Sequence, residues 1–202
     1  MVNKIVIMIS GNGTNLQRII DEIKSKKLYY KISLVVSNKK NAYGLVRARE
    51  NNIPTLYLPY IRSKYKNREE YDIKLANSIK TSCEFKWIVC LGWMHIFTDS
   101  FITAFPDKTI LNLHPALPGE FPGSDAIGDA WKYSKKYPGM DMRTGAMVHW
   151  VVKEIDAGEV VKTIEVPMFT KDTLNDLKKR VQFHEKLVLI DSLKYLSNKF
   201  LY

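Results

Sequence analysis

The chain has 202 residues, of which 46% are hydrophobic and 26% charged, ordinary globular usage that excludes disorder and allows one core without staples. Lys and Arg number 31 against 21 Asp and Glu, a net charge of +10, so the surface attracts anions; yet the basic residues are spread over helix faces (Lys24, Lys26, Lys27; Lys178, Lys179, Arg180) and form no aromatic-interleaved stripe for specific nucleic-acid binding. Two cysteines, Cys83 and Cys90, have neither metal-ligand nor disulfide spacing, and no signal-peptide core or membrane-length apolar run is present, which leads us to expect a cytoplasmic protein.

Lys4 to Ile9 is a near-continuous apolar run, as in a central parallel strand buried on both faces. It ends in Ser10-Gly11-Asn12-Gly13-Thr14-Asn15, and helical spacing follows through Leu16, Ile19, Ile20 and Ile23. A strand, a glycine turn and a helix N-terminus in that order make an anion site, because the free N–H groups and the helix dipole converge on the turn. Leu16 stands where the third glycine of a dinucleotide fingerprint would be, and no Gly-Lys-Ser/Thr follows, so neither a Rossmann fingerprint nor a P-loop is present. Ile32 to Val36 reads as a second strand. It closes at Ser37-Asn38-Lys39-Lys40 without the acidic residue that a nicotinamide enzyme places against the ribose. Gly44 to Asn51 reads as a helix, Pro54 to Leu58 as a short strand, and Asn67 to Ile79 as a helix.

Lys86 to Leu91 reads as a fourth buried strand, opening into Gly92-Trp93-Met94-His95-Ile96-Phe97, a loop whose aromatic and thioether groups suit a flat heterocycle. Alternating strands and helices imply a parallel sheet with right-handed crossovers. Ile110 to His114 reads as the next strand, stopped by Pro115, Pro118 and Gly119. Asn112 and His114 are two residues apart, so both side chains point to one face. An amide donor and an imidazole at the carboxyl end of a strand stand where an open α/β sheet places its ligand. Asp125 to Tyr133 then reads as a helix, Tyr133 to Met142 as a basic, turn-rich excursion, and Gly145 to Val152 and Glu159 to Val166 as strands. Ile155-Asp156-Ala157-Gly158 connects the last two as a hairpin or bulged turn. Leu174 to Leu196 has helical periodicity and carries Gln182 and Glu185.

Ser10 to Leu16, Ser37-Asn38, Gly92-Trp93-Met94, Asn112 to Pro118, Gly145 to His149 and Asp156-Ala157-Gly158, in this order, resemble the phosphoribosylglycinamide formyltransferases, folate-dependent enzymes of purine synthesis. The resemblance covers essentially the whole chain. It implies a single-domain, Rossmann-like α/β formyltransferase fold: a mostly parallel sheet with helices on both faces and antiparallel strands in the C-terminal half. Residues 1–100 would form the phosphate-binding half, and 101–202 the catalytic and folate-binding half. By the resemblance, Asn112, His114 and Asp156 are catalytic, and Gly13, Thr14 and Asn15 bind the substrate phosphate. Gln182 and Glu185 are the other substrate residues. Arg68, Met94, His95, Ile96, Phe97 and Asn112 contact the folate, although family members often carry arginine where this chain has His95. The implied co-substrate is 10-formyltetrahydrofolate and the implied acceptor glycinamide ribonucleotide, with no metal, no membrane and no specific nucleic acid, in a monomer or weak homodimer. In this chemistry Asn112 and a protonated His114 meet the oxyanion, and Asp156 raises the His114 pKa and relays the proton. Two other readings share parts of the pattern: a formyltransferase acting on initiator methionyl-tRNA, expected to carry a further RNA-binding domain, and a non-enzymatic nucleotide- or nucleic-acid-binding member of the fold.

Overall fold

The first strand, β1 (Asn3–Ile9), buries every side chain from Ile5 to Ile9 completely, and a strand with no polar face must sit inside a sheet covered on both sides. In the computed structural model, which describes residues 2–137 and 142–199, it does. β1 is flanked by parallel partners, with Ile5 opposite both Ile32 of β2 (Tyr30–Ser37) and Trp87 of β4 (Trp87–Cys90). β3 (Thr55–Tyr57) continues the parallel run beside β2. The hydrogen-bonded order is β3-β2-β1-β4-β5-β6-β7 in one seven-stranded sheet, where β5 is Ile110–His114, β6 Arg143–Trp150 and β7 Val160–Pro167. β6 and β7 are antiparallel, so the α/β class with a mostly parallel sheet and antiparallel C-terminal strands is the architecture found.

The chain divides into two compact units, the first ending at Leu111 and the second beginning at Asn112, within β5. In the first, α1 (Thr14–Lys24) buries Leu16, Ile19 and Ile20, α2 (Tyr43–Glu50) buries Leu45 and Ala48, and α3 (Arg68–Ser82) buries Tyr71, Leu75, Ala76 and Ile79. Each fully buried aliphatic side chain contributes about 1.5–3 kcal/mol. α3 starts where Asn67 accepts the Glu70 N–H at 2.9 Å, with Glu69 and Glu70 at the positive end of the dipole. α4 (Asp99–Ile102) is a single turn that the sequence did not signal. In the second unit, Ala130, Val166, Met168, Leu177 and Val181 form a core cluster joining α5 (Ala126–Lys136), β7 and α6 (Leu174–Lys199), with Phe121 and Trp131 packed on it.

Several expected boundaries moved by up to three residues: α3 ends at Ser82 instead of Ile79, and α6 reaches Lys199 instead of Leu196. α5 runs on to Lys136, its last-turn Lys135 and Lys136 matching the negative end of the dipole, so the start of the expected 133–142 excursion is helical; residues 138–141 lie outside those described. β6 stops at Trp150, short of Val152, after a register shift between Val148 and His149.

Candidate active site

In the second unit, β5 delivers Asn112 and His114 to the same carboxylate. The Asn112 amide donates to Asp156 Oδ1 at 3.2 Å, and His114 Nδ1 lies 3.3 Å from Asp156 Oδ2. Asp156 is held in the left-handed region at φ 53° on the connection between β6 and β7. The turn is tight enough that Gly158 has no room for a side chain: a Cβ there would stand 1.8 Å from the Trp150 carbonyl oxygen. The Gly123 N–H completes the carboxylate's shell at 3.0 Å on Oδ2.

His149 was not among the expected site residues, yet it belongs to this cluster. Its Nε2 is 3.2 Å from the Asn112 amide nitrogen and 3.5 Å from Asp156 Oδ1, while its Nδ1 is 3.0 Å from the Trp150 carbonyl. That carbonyl requires a proton on Nδ1, and Nε2 faces both the Asn112 amide and the Asp156 carboxylate. The only sequence signal was His149 at the end of a strand within the motif Gly145 to His149.

His114 is 3% exposed, and oxygens face both its nitrogens: Asp156 Oδ2, and the Phe121 carbonyl 3.1 Å from Nε2. Burial lowers its pKa and outweighs the opposing pull of Asp156 and of the Phe121 carbonyl; the nearby His149 also lowers it. The expected rise is therefore present only as the Asp156 contribution, and the net direction is down. For Asp156, burial pushes the carboxyl up. The hydrogen bonds of His149 and the Gly123 N–H, with the charges of the two histidines, outweigh it and hold the group below the usual aspartate value. The result is an ionised carboxylate bridging two imidazoles and an amide, able to accept and return a proton. On α6, Gln182 is exposed and Glu185 half-buried.

In the first unit, Gly13 caps α1 at φ 73° and meets Gly44 so closely that an added Cβ would lie 2.7 Å from the Gly44 Cα. Arg47 braces the turn, donating Nε to the Asn12 carbonyl and NH2 to Asn12 Oδ1, both at 2.9 Å. No acidic residue occupies the first turn of α1, so no carboxylate of that turn meets the positive end of the helix dipole. The Asn15 Oδ1 is buried without a hydrogen-bond partner in the protein.

The loop after β4 alternates. Met94 and Ile96 are 60% and 59% exposed, whereas His95 and Phe97 turn inward, Phe97 stacking on Phe101 with centroids 4.1 Å apart. Arg68 lies against this loop and donates NH2 to the Ile96 carbonyl. Among the described residues no cluster of His, Cys, Asp and Glu could hold a metal ion, and no helix is long and apolar enough to cross a membrane.

Residues 3–193 match the family model described as Formyl transferase. The chain is 42% identical to phosphoribosylglycinamide formyltransferase of Dictyostelium discoideum, over 98% of this chain and 100% of that one. It is 38% identical to the enzyme of the same name from Schizosaccharomyces pombe, over 96% of each. The crystal structure of phosphoribosylglycinamide formyltransferase from Bacillus halodurans superposes with a TM-score of 0.87 at 27% identity, covering 98% of this chain and 96% of that one.

Proposed function

The chain belongs to the formyl transferase family, and we propose that it transfers the formyl group of 10-formyltetrahydrofolate to the amine of 5-phosphoribosylglycinamide in purine synthesis, giving formylglycinamide ribonucleotide and tetrahydrofolate. The observation that carries this reading is the Asp156 carboxylate bound to Asn112 and flanked by His114 and His149. That grouping supplies oxyanion donors and a proton acceptor together, as acyl transfer to an amine requires.

The amine nitrogen attacks the formyl carbon, and the carbonyl oxygen becomes an oxyanion. Asn112 and His114 stabilise it, His114 exchanging the Phe121 carbonyl for the new charge. Burial keeps the His114 pKa low in the free protein; a developing negative charge beside the ring favours its protonated form at that moment. Asp156 passes the proton lost by the attacking amine toward the departing folate nitrogen, so that the C–N bond to folate breaks as the new amide forms. We assign the substrate phosphate to Gly13, Thr14 and Asn15, other substrate contacts to Gln182 and Glu185, and the folate to Arg68, Met94, Ile96 and Asn112. His95 and Phe97 would shape the folate loop from beneath. No step requires a metal. The unbridged Cys83 and Cys90 fit a cytoplasmic enzyme.

Mixing the protein with formyl-folate and glycinamide ribonucleotide should release tetrahydrofolate. If it does not, while charged initiator tRNA is formylled instead, the substrate assignment is wrong and the tRNA reading replaces it.

A further inference from the structure

We propose that Asp72 is a positioning residue for the formyl-folate: from the buried face of α3 its carboxylate holds the 94–97 loop in the orientation that presents Met94 and Ile96 to the ligand. The inference rests on the folate reading above, and deepens it.

Asp72 is completely buried and has no part in the acyl-transfer chemistry. A buried carboxylate is stable only when its oxygens find donors. Both donors come from the loop. The Thr98 N–H donates to Oδ2 at 2.7 Å, and His95 Nε2 lies 2.9 Å from Oδ1. Arg68, one helical turn earlier on the same face of α3, adds its NH2 to the Ile96 carbonyl and lies 3.3 Å from His95 Nε2. The loop is thus gripped at three residues, 95, 96 and 98, by two side chains of one helix.

The imidazole fits a box of rings, with centroids 5.2 Å from Tyr71, 6.2 Å from Tyr60, 6.3 Å from Trp93 and 6.5 Å from Phe97. With the His95 side chain 8% exposed and fixed inward, its neighbours Met94 and Ile96 are forced outward. Packing alone would be served as well by an apolar side chain at position 72. What a carboxylate adds is a fixed direction for a backbone N–H and an imidazole. The Trp93 Nε1 and the Thr98 Oγ1, at either end of the gripped stretch, are buried without hydrogen-bond partners in the protein, and the backbone N–H of Thr98 and the imidazole of His95 are what the Asp72 carboxylate directs.

The test compares Asp72→Ala with Asp72→Asn in the full chain, measuring formyl-folate and ribotide affinity, kcat, and hydrogen exchange at the Thr98 amide. The asparagine keeps an acceptor for Thr98 and a polar group for His95. Asp72→Ala should weaken formyl-folate by about tenfold, the equivalent of one charge-assisted hydrogen bond, and speed exchange at Thr98. Saturated turnover and ribotide affinity should hold, and Asp72→Asn should recover most of the loss. Should the alanine variant fail to fold, His95→Phe decides: it keeps the ring packing and removes the contact to Asp72, so the folate KM should rise with kcat unchanged. Wild-type folate affinity in Asp72→Ala, or an unchanged folate KM in His95→Phe, overturns the role of Asp72 and leaves the formyltransferase reading standing. A parent protein that binds no formyl-folate overturns both.

Discussion

Asp156 is the residue on which catalysis and local structure separate most sharply. Were it only a turn residue at φ 53°, asparagine, which tolerates that conformation and keeps a hydrogen-bonding oxygen, would replace it with modest loss. As the proton relay, Asp156→Asn should lower turnover by about 10²- to 10⁴-fold while both substrates still bind. The His114 titration, followed by NMR, should move further down, because the carboxylate that pulls it up is gone. Near-normal turnover with an unmoved titration would remove the mechanism. The same two groups set an acid limit on stability. His114 is depressed below 6.5, the ordinary imidazole value, so the unfolded chain binds the proton more readily than the folded one; its contribution is fully present above 6.5 and is lost as the pH falls through the lower folded value. Asp156 adds a second loss as the pH falls below 3.8, the ordinary aspartate value. Thermal unfolding followed against pH should show the first decline in the parent and a shallower one in His114→Asn.

Among the elements, two turns are built by what glycine omits. At Gly13 a side chain meets the backbone of Gly44, and φ 73° strains any substitute. Gly13→Val should therefore lower ribotide affinity while formyl-folate affinity holds, as two separate titrations would show; equal loss of both would make the turn merely structural. At Gly158 a Cβ would collide with the Trp150 carbonyl, so Gly158→Ala should displace the Asp156 connection and abolish turnover with β6 and β7 still paired, visible as loss of the Asp156 and His149 resonances from their native positions. Helix α3 depends on its cap: the Asn67 side chain takes one of the N–H groups that a helix leaves unpaired. Asn67→Ala should cost about 1 kcal/mol in denaturant unfolding, and a change near zero would show that the cap is dispensable.

At the scale of the whole molecule, a net charge of +10 draws anions without selecting among them, since long-range attraction carries no sequence information. Any retention on DNA should vanish at moderate salt in a filter-binding series; tight, salt-resistant binding to tRNA would favour the tRNA reading. The sequence by itself determined the architecture, because unbroken apolar runs such as Ile5 to Ile9, separated by helical periods, can bury their side chains only in a covered parallel sheet. It also placed Asn112 and His114 on one face, since that follows from the two-residue period of a strand, and it marked the Gly13 turn by order alone. Asp156 came from resemblance, because 42 positions separate it from His114 in the chain and no local rule spans that distance. Only the tertiary structure brought His149 to Asn112, by laying β6 beside β5 in the sheet, and only it showed Asp72 gripping a loop far along the chain. The direction of the His114 pKa was decided there too. Which of burial and a neighbouring charge prevails depends on how completely the folded chain removes the ring from water, a property of the packed site and not of the residue.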